Sequence, residues 1–107
     1  MSKKGILIIG AGGVSRVATV KCAMNIDTFE KITLASRTVS KCESMAADIL
    51  KNQGVQIDVA SVDADNVDEL VKLIEKVNPK LVLNVALPYQ DLTIMDACTK
   101  CKVDYVD

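Results

Sequence analysis

Two hydrophobic periodicities alternate along the chain and predict alternating strands and helices. Short runs rich in Ile, Val and Leu predict buried strands at residues 5–9, 31–36, 56–62, 80–85 and 103–106. One-sided apolar patterns predict helices at residues 13–25, 40–53, 67–77 and 91–101. This alternation is typical of a parallel sheet with helices on both faces. We therefore expect an α/β fold, a Rossmann-type doubly wound sheet with strand order 3-2-1-4-5 and right-handed crossovers.

Polar residues at the helix boundaries support these assignments. Ser40 with Glu43, and Asn66 with Glu69, have the spacing of capping boxes, in which a polar cap is followed three residues later by glutamate. Gly54 can adopt the left-handed conformation that commonly ends a helix, so it predicts the end of the second helix. The apolar stripe expected to be buried on that helix consists of Met45, Ala46, Ile49 and Leu50.

A glycine-rich turn follows the first predicted strand and opens the first helix. Residues 10–14 read GAGGV, in which Gly10 permits a tight turn and Gly12 lets backbone N–H groups approach a pyrophosphate. The helix N-terminus adds partial positive charge. Ser15 occupies the position of the third glycine of the dinucleotide fingerprint and is small enough to keep the helix close to the strand. The cofactor-binding residues predicted here are Gly10, Ala11, Gly12, Gly13 and Val14; the alternative is a tight turn that binds no ligand.

The end of the second strand indicates which dinucleotide is bound. An NAD site has a carboxylate here for the ribose 2′-hydroxyl, whereas this strand ends in Ser36, Arg37 and Thr38. Ser36 offers a hydrogen-bond donor and Arg37 a planar guanidinium that suits phosphate, while Lys41 adds a second positive charge. We therefore predict NADP(H) as the cofactor, and the alternative for Arg37 is a solvated loop residue.

Two further loops fall at the same edge of the predicted sheet. Asp63 and Ala64 follow the third strand, where they would contact the adenine edge; the alternative is capping of the next helix by Asp65 and Asn66. The loop after the fourth strand would face the ribose and nicotinamide, or serve only as a rigid connection. It contains the predicted site residues Asn84, Val85, Ala86, Leu87 and Pro88.

The sequence contains no recognisable metal or catalytic constellation. Cys98 and Cys101 have a spacing of three on a predicted helix, but the chain has no histidine and a structural zinc site needs four ligands. Cys98 is therefore expected to be a small buried residue. No acid, base or nucleophile stands out, so the catalytic residues are not identified.

Composition excludes several functional classes. The chain has 107 residues, enough for one domain, and a formal net charge of −1. It lacks the basic cluster and the aromatic platform of a nucleic-acid-binding protein, and no apolar segment approaches the roughly 20 residues that span a bilayer. We expect a cytoplasmic protein with reduced thiols.

Three segments together resemble the saccharopine dehydrogenase-like family. They are residues 10–14, residues 34–38 (LASRT) and residues 84–92 (NVALPYQDL), and within the family they are most similar to the branch that forms carboxynorspermidine. The resemblance covers essentially the whole chain. It implies an NADPH-dependent reductive condensation of aspartate semialdehyde with a diamine, by way of an imine.

The same resemblance implies that residues 1–107 are the N-terminal cofactor domain of a larger enzyme. A second domain would then supply most of the site for a small amino-acid or amine substrate, and the full-length protein would be a homodimer. Saccharopine as the substrate and a non-catalytic dinucleotide-sensing module remain alternatives. A methyltransferase is disfavoured, because its cofactor ribose calls for a carboxylate where Ser36 and Arg37 stand.

Overall fold

The predicted elements are present in the part of the chain that the structure describes. The computed structural model describes residues 5–10, 19–21, 31–63, 66–85 and 91–106. Its strands are β1 (Ile6–Ile9), β2 (Ile32–Ser36), β3 (Asp58–Ser61), β4 (Leu81–Asn84) and β5 (Asp104–Val106). Its helices are α1 (Val39–Gln53), α2 (Val67–Val77) and α3 (Asp91–Cys101). Residues 19–21 are also helical and belong to the predicted helix 13–25, the rest of which lies outside the described residues.

The five strands form one parallel sheet in the predicted order, β3-β2-β1-β4-β5. Strand β1 lies in the centre, where Ile6 is in register with Ile32 on one side and with Leu81 on the other. Because all the strands are parallel, their carboxyl ends share one edge of the sheet. The chain progresses outward from β1 to β3 and then from β4 to β5, so the strand order reverses between β1 and β4. Doubly wound sheets bind ligands at that reversal.

Strand β1 supplies side chains to two separate apolar cores. Leu7 and Ile9 pack on the face covered by α2 and α3, whereas Ile6 and Ile8 pack on the face covered by α1. Each of these four residues is fully buried, as expected for a central strand of a parallel sheet. Burying such a side chain contributes roughly 1.5 to 3 kcal/mol, so the run fixes the strand in the middle of the fold.

The start of α1 differs from the prediction. The N-cap residue is Thr38, in an extended conformation with φ −104° and ψ 90°, and the helix begins at Val39, so the capping box predicted at Ser40 is wrong. The hydroxyl of Ser36 accepts a hydrogen bond from the Thr38 N–H at 3.0 Å and fixes the turn before the helix. The helix can therefore begin earlier, with no side-chain hydrogen bond from its cap residue.

The apolar stripe of α1 is also narrower than predicted. Cys42, Met45 and Ile49 are buried, but Leu50 is 52% exposed. Successive residues of an α-helix are about 100° apart, so Leu50 points away from the side of the helix on which Cys42, Met45 and Ile49 are buried. Leu50 therefore lies outside the buried stripe of α1.

The remaining helix ends follow the sequence closely. The side chain of Asn66 accepts a hydrogen bond from the backbone of Glu69 at 3.2 Å, which confirms the predicted cap of α2. Gly54 closes α1 with φ +69°, as predicted. Helix α3 ends in a Schellman pattern around Lys102, which has φ +57°. None of the described helices is long and apolar enough to cross a bilayer.

Candidate nucleotide-binding site

Gly10 turns the chain away from the central strand at the point where the strand order reverses. It is buried, has φ +121° and donates its N–H to the carbonyl of Ala35 at 2.8 Å. Residues with a side chain rarely adopt this conformation, so the turn depends on glycine. Of the predicted pyrophosphate residues, Ala11, Gly12, Gly13 and Val14 lie outside the described residues, and so does Ser15.

The predicted phosphate-recognition segment forms a compact turn at the end of β2. The hydroxyl of Ser36 accepts from the N–H of Thr38 at 3.0 Å and donates to the Thr38 carbonyl at 3.1 Å. In this geometry the hydroxyl bonds the Thr38 backbone, so a bond from Ser36 to a phosphate requires the hydroxyl to rotate. Lys41 is exposed on the first turn of α1, and its backbone N–H donates to the carbonyl of Thr38 at 3.2 Å.

Arg37 and Asp63 form an ion pair across the carboxyl ends of β2 and β3. The Nη2 atom of Arg37 donates to Oδ1 of Asp63 at 2.9 Å. The sheet register creates this contact, because Ser36 is opposite Ser61 and the N–H of Val62 donates to the Ser36 carbonyl at 3.1 Å. The side chains remain 68% and 40% exposed, respectively. The site therefore presents an accessible guanidinium with a carboxylate beside it; Ala64 lies outside the described residues.

Asn84 ends β4 directly beside the end of β1. It is in register with Ile9, and the N–H of the next residue, Val85, donates to the Ile9 carbonyl at 2.9 Å. The side chain of Asn84 is only 4% exposed, and its Nδ2 donates to the hydroxyl of Tyr105 at 3.0 Å. The rest of the predicted loop, Ala86, Leu87 and Pro88, lies outside the described residues.

Tyr105 is the contributor that sequence reasoning missed. It lies on the edge strand β5, in register with Val82, and reaches the carboxyl end of β4 through its hydroxyl. The signal for it is a tyrosine, which has an apolar ring and a polar hydroxyl, on the strand predicted to neighbour β4. A buried amide such as that of Asn84 needs a partner of this kind.

Cys42 and Cys98 are not activated thiols. Burial raises the pKa of Cys98 to about 11, with the nearby Cys101 adding to the shift. Burial also raises the pKa of Cys42, and the charge of Glu43 adds to this, although a hydrogen bond from Ser36 works in the opposite direction. Both thiols are therefore protonated near neutral pH. A nucleophile or a metal ligand would need to be a thiolate. Cys98 is fully buried on α3, as predicted.

The sequence from residue 6 to residue 107 matches the family model of the saccharopine dehydrogenase NADP binding domain. The chain belongs to this family. The match confirms NADP(H) as the cofactor, which the absence of a carboxylate at the end of β2 had predicted. The contributions of the individual residues remain predictions.

The curated relatives of this NADP-binding domain are dehydrogenases and synthases. A carboxyaminopropylagmatine dehydrogenase of Synechocystis sp. is 47% identical over 102 residues, which cover 95% of this chain and 25% of the relative. A carboxynorspermidine synthase of Vibrio alginolyticus is 46% identical over 107 residues, covering 95% of this chain and 26% of the relative. The chain thus spans about a quarter of the length of the curated relatives it matches.

Solved structures agree on the fold of this NADP-binding domain. A UDP-glucose-4-epimerase from Stenotrophomonas maltophila with bound NAD superposes with a TM-score of 0.76 at 13% identity, covering 94% of this chain and 34% of that one. A tRNA N6-threonylcarbamoyladenosine dehydratase of E. coli in complex with AMP gives 0.72 at 20% identity, covering 95% and 48%. At such low identity the likeness concerns the fold alone, and it confirms the Rossmann-type architecture.

Proposed function

We propose that this chain is the cofactor domain of a cytoplasmic oxidoreductase that reduces the imine formed from aspartate semialdehyde and a diamine. The names of the two relatives above support this reaction, because each enzyme is named after a carboxylated polyamine. The rest of the protein would supply a second domain, most of the substrate site and the contacts of a homodimer. When bound, NADPH supplies the hydride that reduces the imine carbon.

The observation that carries the nucleotide part of the proposal is the position of Arg37. Its guanidinium is 68% exposed immediately after β2, at the carboxyl edge of the sheet, where an NAD-binding protein would have a carboxylate. A guanidinium pairs with phosphate through parallel N–H donors. The residues present therefore fit a nucleotide that carries a 2′-phosphate, which Arg37 would bind with help from Ser36, Thr38 and Lys41.

The other predicted residues would bind and orient the remainder of the nucleotide. Gly10, with its positive φ, ends β1, and the residues predicted to bind the pyrophosphate, 11–14, follow it in the sequence. Asn84 and Val85 lie at the strand reversal and begin the loop that would face the nicotinamide ribose. The groups that transfer protons would come from the rest of the protein.

The test is a comparison of two substitutions at opposite ends of the same strand. Arg37→Ala in the full-length protein should raise the Kd for NADPH at least tenfold, equivalent to about 1.4 kcal/mol, while the Kd for NADH changes less than about twofold. Lys31→Ala is the matched control, because Lys31 precedes β2 and pairs with Asp58 at 3.4 Å in the same way. It should change neither Kd. If Arg37→Ala raises the Kd values for NADPH and NADH equally, Arg37 does not recognise the 2′-phosphate.

A second experiment tests the reaction. The full-length protein, supplied with aspartate semialdehyde and a series of diamines, should consume NADPH and release a carboxylated polyamine that mass spectrometry identifies. The isolated 107 residues should bind NADPH weakly and turn nothing over. If the full-length protein binds NADPH but reduces none of these imines, the substrate assignment is wrong while the cofactor assignment stands.

A further inference from the structure

The ion pair between Arg37 and Asp63 lies at the carboxyl edge of the sheet, where we expect it to affect ligand binding more than the stability of the fold. The Arg37 side chain is mostly exposed and that of Asp63 partly so, and exposed ion pairs contribute little to folding, since water and salt screen them. The contact nevertheless restricts a long side chain that would otherwise sample many rotamers. Its main effect is therefore to order the guanidinium before any ligand arrives.

A second ion pair joins the same two strands at the other edge of the sheet. Lys31, just before β2, pairs with Asp58, the first residue of β3, at 3.4 Å, and these side chains are also about half exposed. The two pairs are alike in exposure and charge. They differ in location, because the Arg37 pair lies at the carboxyl edge, where parallel sheets bind nucleotides. The Lys31 pair therefore serves as an internal control.

Building on the proposed function, we propose that Asp63 is the positioning residue of Arg37 and thereby sets the preference for NADPH over NADH. The guanidinium carries five N–H donors in one plane, so a bond from Nη2 to Asp63 fixes the plane in which the guanidinium would meet a 2′-phosphate. Preordering of this kind reduces the entropy lost on binding. This role differs from contact with the adenine amine, because NADPH and NADH carry the same adenine.

The carboxylate of Asp63 also repels a phosphate, and the two effects predict opposite results. A bound phosphate would contact the guanidinium directly, whereas the carboxylate would be separated from it by the width of that group. In a solvated site, salt and water weaken this longer-range repulsion. Ordering of Arg37 therefore dominates, and the removal of Asp63 should weaken NADPH binding.

The experiment measures the Kd of both nucleotides in the full-length protein with two substitutions at one position. Asp63→Ala should raise the Kd for NADPH roughly three- to fivefold and leave that for NADH within about twofold. Asp63→Asn keeps an oxygen that can accept from Arg37, so its loss should be smaller. In steady-state kinetics the same change should appear in the KM for NADPH and leave kcat unaltered. Asp58→Ala, which breaks the control pair, should leave both Kd values unchanged.

A double-mutant cycle shows whether Asp63 acts through Arg37. In an Arg37→Ala background, Asp63→Ala should no longer change the ratio of the two Kd values. Tighter NADPH binding by Asp63→Ala would show that repulsion dominates and would overturn the inference. Equal weakening of NADPH and NADH would identify an adenine contact and overturn it as well. In both cases NADPH still binds, whereas a parent protein that binds no NADPH overturns the proposed function and this inference together.

Discussion

The side-chain amide of Asn84 donates to the hydroxyl of Tyr105 across the last two strands of the sheet, with 3.0 Å between Nδ2 and Oη. Asn84 is buried at the point where β4 meets the end of β1, and Tyr105 is half-buried on β5. The bond ties the edge strand to the carboxyl end of β4. The end of β4 is therefore held by a side chain as well as by the sheet.

Removal of the Tyr105 hydroxyl should destabilise the fold. Tyr105→Phe keeps the ring but deletes the acceptor of the Asn84 amide, so we expect the free energy of unfolding to fall by roughly 1 to 2 kcal/mol in urea denaturation. The double variant Asn84→Leu/Tyr105→Phe, which removes both polar partners, should regain part of this loss. Unchanged stability of Tyr105→Phe would mean that the bond makes no net contribution.

Two glycines with positive φ should respond differently to alanine. At Gly5, with φ +85°, a Cβ would overlap the backbone carbonyl oxygen of Lys31, which already accepts from the N–H of Ile6 at 2.9 Å. At Gly54, with φ +69°, a Cβ would have no neighbour within 4 Å. We expect Gly54→Ala to cost about 1 kcal/mol from backbone strain alone, and Gly5→Ala to cost well over 2 kcal/mol in thermal or chemical unfolding. Similar losses at the two positions would contradict the predicted steric clash.

Thr33 is a site at which a substitution should stabilise the protein. Its side chain is buried in β2, and within the described residues its hydroxyl has no hydrogen-bond partner. Valine has the same branched shape without the hydroxyl, so Thr33→Val should raise the free energy of unfolding by about 1 kcal/mol. Thr99→Val is the control, because the Thr99 hydroxyl is exposed and donates to the Met95 carbonyl at 3.0 Å. A destabilised Thr33→Val would show that the hydroxyl has a partner after all.

The raised pKa of Cys98 predicts a loss of stability in alkali. Burial raises the pKa of its thiol to about 11 in the folded chain, whereas an unfolded cysteine has a pKa of about 8.5. Between these values the unfolded chain binds fewer protons than the folded chain, so the free energy of unfolding falls as pH rises. The stabilisation is complete below about pH 8.5 and is lost as pH rises towards 11.

Cys98→Ala should flatten this part of the stability profile. Urea denaturation at several pH values from neutral to strongly alkaline measures the slope for the parent and the variant. Part of the slope should remain in Cys98→Ala, because burial also raises the pKa of Cys42. Parallel profiles for the parent and Cys98→Ala would mean that Cys98 does not titrate differently on unfolding.

The elements of the fold were predictable because their signals are local. The apolar run of β1 indicates a strand buried on both faces, and the spacing of Asn66 and Glu69 indicates the start of α2. The start of α1 was not predictable in the same way, since it depends on a bond from Thr38 back to Ser36 in the preceding strand.

The candidate site was only partly predictable for a related reason. Strand order alone brings Arg37, Asp63 and Asn84 to the carboxyl edge of the sheet. It does not pair them, because the contacts of Arg37 with Asp63 and of Asn84 with Tyr105 join residues 26 and 21 positions apart. Such contacts depend on the register between strands and on side-chain rotamers, which leave no local pattern in the sequence.

The central position of β1 has a consequence for the synthesis of any protein that carries this chain. Ile6 pairs with Ile32 and with Leu81, so β1 leaves the ribosome before both of its neighbours, and β4 emerges long after β2. At about 5 to 20 residues per second, the interval between the two neighbours is on the order of 2 to 10 seconds. During that interval one side of the central strand has no partner. The proposed nucleotide site includes Asn84 at the end of β4, so we expect the nascent chain to bind its cofactor only after β4 has joined the sheet.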